Sequence, residues 1–157
     1  MRKEYCDDHA PSSIATLFTL KMIEEKLNYK FDNVFQLMPN CPFRSSKIIR
    51  SAFSFFTKNN ASSLISCTEF GWLNPWWAVL LDKNNFGKKL FPNKIAKRSQ
   101  DLKKLHGISG AIWISKVSYL KKYKTFYSPN HMYFPIDWKS AFDIDTPEDL
   151  ELAKELQ

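Results

Sequence analysis

Residues 32–59 read DNVFQLMPNCPFRSSKIIRSAFSFFTKN, and the order of their parts decides the fold. The first seven residues suit a short buried strand. Pro39 and Pro42 break it, because proline has no N–H to donate to a ladder. Residues 45–59 then follow a helical period, with Ile48, Ile49, Ala52, Phe53 and Phe56 on one side. A strand that passes through a tight loop into an amphipathic helix is the repeating unit of an α/β protein.

The flanking sequence repeats this grammar. Residues 11–28 predict a helix with Ile14, Leu17, Phe18, Met22 and Leu27 along its buried stripe. Strands are predicted in SSLISCTEF, WWAVLLD, GAIWIS, MYFPI and SAFDI, and a short helix in KVSYLKK. The chain from 1 to 157 reads as one α/β domain with a largely parallel sheet and flanking helices. The basic, polar stretch at about 82–104 reads as a protruding arm. The last helix begins with Thr146 as N-cap, Pro147 at the first position and Asp149 placed for a capping box.

That helix accounts for Glu148 and Asp149, which face its positive end. It does not account for Asp143 and Asp145, in the predicted strand end just before it. Alternate strand residues share a face. Two carboxylates so placed either form a solvated acidic turn or hold a cation, and oxygen ligands point to Mg²⁺ rather than zinc. Both PNCPFR and DIDT follow predicted strand ends, where ligands bind in open α/β sheets. The two motifs are therefore expected to share one crevice.

Composition narrows the classes. A chain of 157 residues with 44% apolar content can bury a core. No apolar run approaches the roughly 20 residues of a membrane helix, so no membrane association and a cytoplasmic location are expected. Cys6, Cys41 and Cys67 are scattered, as are His9, His106 and His131, so neither a zinc knuckle nor a disulfide framework is indicated. The net charge of +7 with 15% aromatics would suit nucleic acid, but the lysines are spread along the chain, as on a solvated surface. Only four glycines occur, in neither phosphate-loop pattern.

Taken together, four segments resemble the acylneuraminate cytidylyltransferases, which make CMP-activated sialic and related nonulosonic acids. CDDHAPSS is similar to the family's A-x-D-x-A-x-S, and LMPNCPFRSSKIIRSAF to its LQPTSPLR strand-loop-helix. KRSQDLKKLHGISGAIWI resembles R-x-Q followed by N-G-A-I-Y-I, and AFDIDTPEDLELAKEL resembles the DIDTxxDLxxAE ending. All four stand in family order and span nearly the whole chain.

The resemblance implies a truncated Rossmann-like nucleotidyltransferase fold and an enzyme that transfers CMP from CTP to an acidic nine-carbon sugar, releasing pyrophosphate. Asp143 and Asp145 match the metal pair for Mg²⁺, with Asp145 and Arg44 at the catalytic centre. Asp8 and Ser13 match nucleotide-side positions. Arg98, Gln100, Trp113, Phe126 and Tyr127 match the sugar side. On the residues alone each of the three aromatics suits core before pocket, and Arg44 suits a loop-fixing role as well as a catalytic one. In the family the arginine matched by Arg98 can serve the other subunit of a homodimer.

Three departures accompany the match. Met38 stands where the family has glutamine, and Ser109 where it has asparagine. The family's opening strand and A-R-x-G-S-K-G loop have no counterpart, so the chain reads as a C-terminal part of the domain, a split subunit or a truncated gene product. It is not expected to synthesise CMP-sugar alone. The alternative reading is a non-catalytic remnant or partner subunit that keeps the fold and self-associates.

Overall fold

Ser45 accepts a hydrogen bond from the Ile48 N–H and starts helix α2, Ser46–Lys58. In the computed structural model, which describes residues 10–71 and 73–157, this helix follows strand β1, Asn33–Gln36. Its inward side is the expected one: Ala52 and Phe56 are buried, and Ile48, Ile49 and Phe53 pack around them. Asp8, Cys6 and His9 lie outside the described residues.

The remaining elements are α1 (Ser12–Leu27), β2 (Ser63–Glu69), β3 (Val79–Leu81), β4 (Gly87–Lys89), β5 (His106–Lys116), α3 (Val117–Tyr123), β6 (His131–Pro135), α4 (Trp138–Ala141) and α5 (Pro147–Glu155). Four strands form the main sheet in the order β1-β5-β2-β6, and β3 pairs with β4 in a separate hairpin. One core layer, under α2, holds Phe56, Leu64, Ile112 and Ile114. Another holds Ile65, Leu120 and Phe126, packed by Leu17, Val34 and Trp113.

The α/β class is as expected, but the sheet is mixed rather than largely parallel. β2 and β6 are parallel, whereas β5 runs antiparallel to both β1 and β2. The cause is the connection. β1 reaches β2 through α2, a crossover that keeps strands parallel. Among the described residues between β2 and β5 no α-helix crosses the sheet. The chain leaves at Glu69 and returns opposite it at His106, closed by the Phe70 N–H donating to Leu105 O at 3.2 Å. Residues 70–105 are therefore an excursion from a hairpin, and they include the expected arm.

Two other expectations change. SAFDI is not a strand. The Asp137 carboxylate accepts from Ser140 N and starts α4, and an extended link from Phe142 leads to α5. The buried line of α1 is also different. Ser13, Leu20 and Glu24 face inward, while Met22 and Leu27 are 51% and 59% exposed. Polar anchors turn the helix: Ser13 Oγ donates to Lys124 O at 2.8 Å, and buried Glu24 accepts from Lys121 Nζ at 2.7 Å and Lys30 Nζ at 3.3 Å.

The Lys121 hydrogen bond is the main cause that holds the Glu24 carboxyl below its ordinary 4.5; burial opposes it, and Lys30 and the Phe31 N–H assist. A lowered folded value means that the ionised form stabilises the fold above the unfolded pKa, and that this is lost as pH falls through the folded one. Glu24→Gln is expected to lower the urea midpoint at about pH 7 and to converge on the wild type toward about pH 3. A deficit that stays constant with pH would show that packing, not charge, is at work.

Candidate functional site

The loop after β1 is tied to β5 before it reaches any ligand. Met38 N donates to Gly110 O at 3.3 Å. A Cβ on Gly110 would lie 2.9 Å from Met38 Cγ, so the approach needs glycine there. Arg44 closes the loop from beneath. Its Nη1 donates to Met38 O at 2.8 Å and to Ala111 O at 3.0 Å. Both bonds go to main-chain carbonyls, so the guanidinium works as a pin between loop and sheet.

This pinned loop meets the segment between α4 and α5. Ile144 N donates to Asn40 O at 2.9 Å, and Asn40 Nδ2 donates to Asp145 Oδ1 at 2.9 Å. The rings of Phe43 and Phe142 lie 6.0 Å apart. PNCPFR and DIDT thus share one place as expected, although DIDT follows α4 rather than a strand end. The capping box is present: Asp149 N donates to Thr146 Oγ1, and Thr146 N donates to Asp149 Oδ2. Asp145 N also donates to Asp149 Oδ2 at 3.1 Å, so the last helix orients the residue before its cap.

The electrostatics bear the mark of crowding. Partial burial pushes the Asp143 carboxyl up, and the neighbouring Asp145 adds to it. Burial raises the Cys41 thiol, and Asp143 raises it further against the pull of Arg44. Both aspartates remain exposed. Among the described residues, no group of three or more His, Cys, Asp or Glu side chains could hold a metal. A cation here would take two protein carboxylates at most.

The sugar-side candidates occupy two other places. Trp113 donates from Nε1 to Ser109 O at 2.8 Å, and its ring meets Phe126 at 5.4 Å and Tyr127 at 5.8 Å. Phe126 is fully buried and presents no surface to a ligand, whereas Tyr127 is open. Tyr127 continues through His131 to Tyr133, at 5.9 and 5.3 Å between rings. Arg98 and Gln100 lie in the excursion. Arg98 is paired with Asp101 at 2.9 Å, and Gln100 borders a cavity of about 350 Å³ with Asn74 and Lys103. Ser13 is buried, and its hydroxyl is spent on Lys124 O.

The sequence alone assigns no role to Asn40, Ser109, His131 or Tyr133. Ser109 Oγ donates to Ala141 O at 3.1 Å, joining β5 to the end of α4 beside the aspartates. Asn40 sits inside PNCPFR, but its partner lies 105 positions away. A ring alternation from His131 to Tyr133 was the available signal for the aromatic row.

No protein-family model matches the chain. It is 28% identical over 152 residues to the pseudaminic acid cytidylyltransferase of Campylobacter jejuni subsp. jejuni serotype O:23/36 (strain 81-176), covering 97% of this chain and 65% of that protein. It is 27% identical over 159 residues to the CMP-N,N'-diacetyllegionaminic acid synthase of Legionella pneumophila subsp. pneumophila (strain Philadelphia 1), covering 99% and 67%. Among solved structures, CMP:2-keto-3-deoxy-manno-octonic acid synthetase complexed with CTP superposes with a TM-score of 0.58 at 12% identity, over 95% of this chain and 68% of that one. This last likeness is one of fold. The chain spans about 65% of the length of the Campylobacter relative.

Proposed function

We propose that this chain, a member of the CMP-nonulosonic acid synthetase family, carries the metal-side and sugar-side surfaces of a cytidylyltransferase that moves CMP from CTP to an acidic nine-carbon sugar. The observation that supports this best is that Asn40 holds the segment carrying Asp143 and Asp145, accepting from Ile144 N and donating to Asp145 Oδ1. In the proposed reaction the sugar's anomeric hydroxyl loses its proton to solvent as its oxygen bonds to the α-phosphorus of CTP. The bond from that phosphorus to the bridging oxygen breaks, and pyrophosphate leaves.

Asp143 and Asp145 would hold Mg²⁺. Two hard oxygen donors that repel each other fit it, with phosphate and water completing its shell. When bound, the ion supplies charge neutralisation on the phosphates. The chain's own residues do the positioning. Arg44 fixes the loop, Asn40 orients the Asp145 carboxylate, and α5 fixes its backbone. Tyr127, backed by Trp113, offers a ring face and a hydroxyl to the sugar. Arg98 would leave Asp101 to meet the sugar carboxylate, acting across a homodimer built on the excursion. The exposed Leu80, Leu81 and Phe86 of that excursion favour the second reading, association without catalysis.

Titrating the ¹⁵N-labelled chain with pseudaminic acid tests the sugar side. The expected result is a set of saturable shifts at the Trp113 indole and the Tyr127 amide. Shifts confined to the surface lysines would remove the sugar-side assignment.

A further inference from the structure

β2 and β5 lose their register in one place. Ile65 stands opposite Trp113, and Cys67 stands opposite Ile108. On β2 only Ser66 lies between those pairs, whereas β5 fits Ser109, Gly110, Ala111 and Ile112 into the same interval. An ordinary bulge sets two residues against one, so this stretch of β5 is thrown well out of the ladder. Buried main-chain groups that leave a ladder need other partners. Ser66 supplies them from β2. Its buried hydroxyl accepts from Ile112 N at 2.9 Å and donates to Ser109 O at 3.0 Å. A single side chain thus offers the donor and the acceptor of a regular rung. The Ser109 hydroxyl closes the bulge from within, accepting from Ala111 N at 3.1 Å.

The displaced groups are the ones that reach the candidate site. Gly110 O accepts from Met38 N, and Ala111 O accepts from Arg44 Nη1, so both ends of the loop that carries Asn40 rest on the bulge. Ser109 Oγ donates to Ala141 O, just ahead of Asp143. Ser109 O also accepts from Trp113 Nε1. Loop, acidic link and indole are all tied to the residues that Ser66 holds.

We infer that Ser66 is a positioning residue: its hydroxyl fixes the 109–112 bulge of β5, and the bulge sets where Asn40 meets Asp145. An alanine at 66 deprives the buried Ile112 N–H of its acceptor, and a buried donor left unpaired is costly. The bulge relieves that cost by slipping toward regular pairing, which carries Gly110 O and Ala111 O away from Met38 and Arg44. The effect on the loop stands by itself. Its consequence for a cation rests on the reading of Asp143 and Asp145 as the pair that holds one.

The test compares Ser66→Ala with Ser115→Ala, which removes another buried hydroxyl of the same sheet, one bonded to Ser63 Oγ at 2.9 Å. Amide hydrogen exchange is read residue by residue, with the urea midpoint alongside. Ser66→Ala is expected to speed exchange at Ile112, Met38 and Ile144 by at least about tenfold, beyond any change in the β2–β6 ladder. It also shifts the Trp113 indole signal. The apparent Mn²⁺ affinity, read from broadening at residues 143–146, falls about fivefold, the equivalent of one hydrogen bond. Ser115→Ala is expected to lower the urea midpoint without these effects. Ser66→Cys keeps the volume with a weaker donor and acceptor, so its effects fall between, and it carries the test if the alanine variant does not fold. Faster exchange at Ile112 alone, with Met38 and Ile144 unchanged, overturns the inference. So does an equal response of those amides to Ser115→Ala. A wild type that takes no Mn²⁺ counts against the cation reading, and the exchange at Met38 and Ile144 still decides the role of Ser66.

Discussion

Replacing Asp143 and Asp145 together by asparagine is expected to abolish divalent-cation binding. The two carboxylates flank Ile144 at the meeting of the two loops, and Asp145 is the first of the charges that crowd Asp143. Burial and Asp145 together raise the Asp143 carboxyl, so a proton and a cation compete for it. The sign follows: affinity is greatest above the raised folded value and falls as pH drops through it. Asparagine keeps the shape, and its amide oxygen can still accept from Asn40, so the loop contact survives. In the wild type, Mn²⁺ is expected to broaden the amide signals of Asn40, Cys41 and residues 143–146 with weak affinity, because two carboxylates without phosphate make an incomplete site. In the double variant this broadening disappears. Relief of the like-charge repulsion also raises the urea midpoint slightly at neutral pH. Persistent broadening in the double variant, or broadening centred on Glu148 and Glu151, would remove the metal role.

Replacing Leu80, Leu81 and Phe86 together by serine is expected to convert a dimer to a monomer. These residues stand on the β3–β4 hairpin, which pairs with no strand of the main sheet, and Phe86 is 75% exposed. An isolated two-stranded ribbon is marginal in water. The excursion that carries it is held by a local knot: Trp76 Nε1 donates to Lys103 O, Trp77 Nε1 donates to Lys97 O, and Phe91 packs edge-on to Trp76 at 5.0 Å. The knot presents the hairpin but does not cover it. Burying three such side chains contributes about 1.5–3 kcal/mol each before association costs are deducted. A loss of about 100-fold in dimer affinity, or roughly 3 kcal/mol, is therefore expected. Sedimentation at micromolar concentration reads it directly. A wild-type chain that stays monomeric would end the dimer proposal, and with it the idea that Arg98 reaches a neighbouring sugar site.

The features legible in the sequence are those whose causes are local. Ser45 caps the helix that starts one residue later, and Thr146, Pro147 and Asp149 start α5 from within four positions. The apolar period of α2 names its own buried side. The shared location of PNCPFR and DIDT was expected from two predicted strand ends, but only PNCPFR follows a strand; DIDT follows α4, so its place beside the loop was set by the tertiary structure.

Whatever depended on a distant partner was decided by the tertiary structure. α1 has no strong apolar stripe, so its orientation was settled by Glu24 finding Lys121, 97 positions away. β5 reversed because the excursion closes on Glu69 and His106 instead of crossing the sheet. Arg44 could have faced a phosphate or a carbonyl. It was committed by Ala111 O, 67 positions on, which no local pattern announces. Asp145 became one half of a site only when Asn40 reached it across 105 positions. Local hydrogen bonds and periodicity are written in consecutive residues. Contacts between residues distant in sequence are created by the chain's return upon itself, and that return set the geometry of the site.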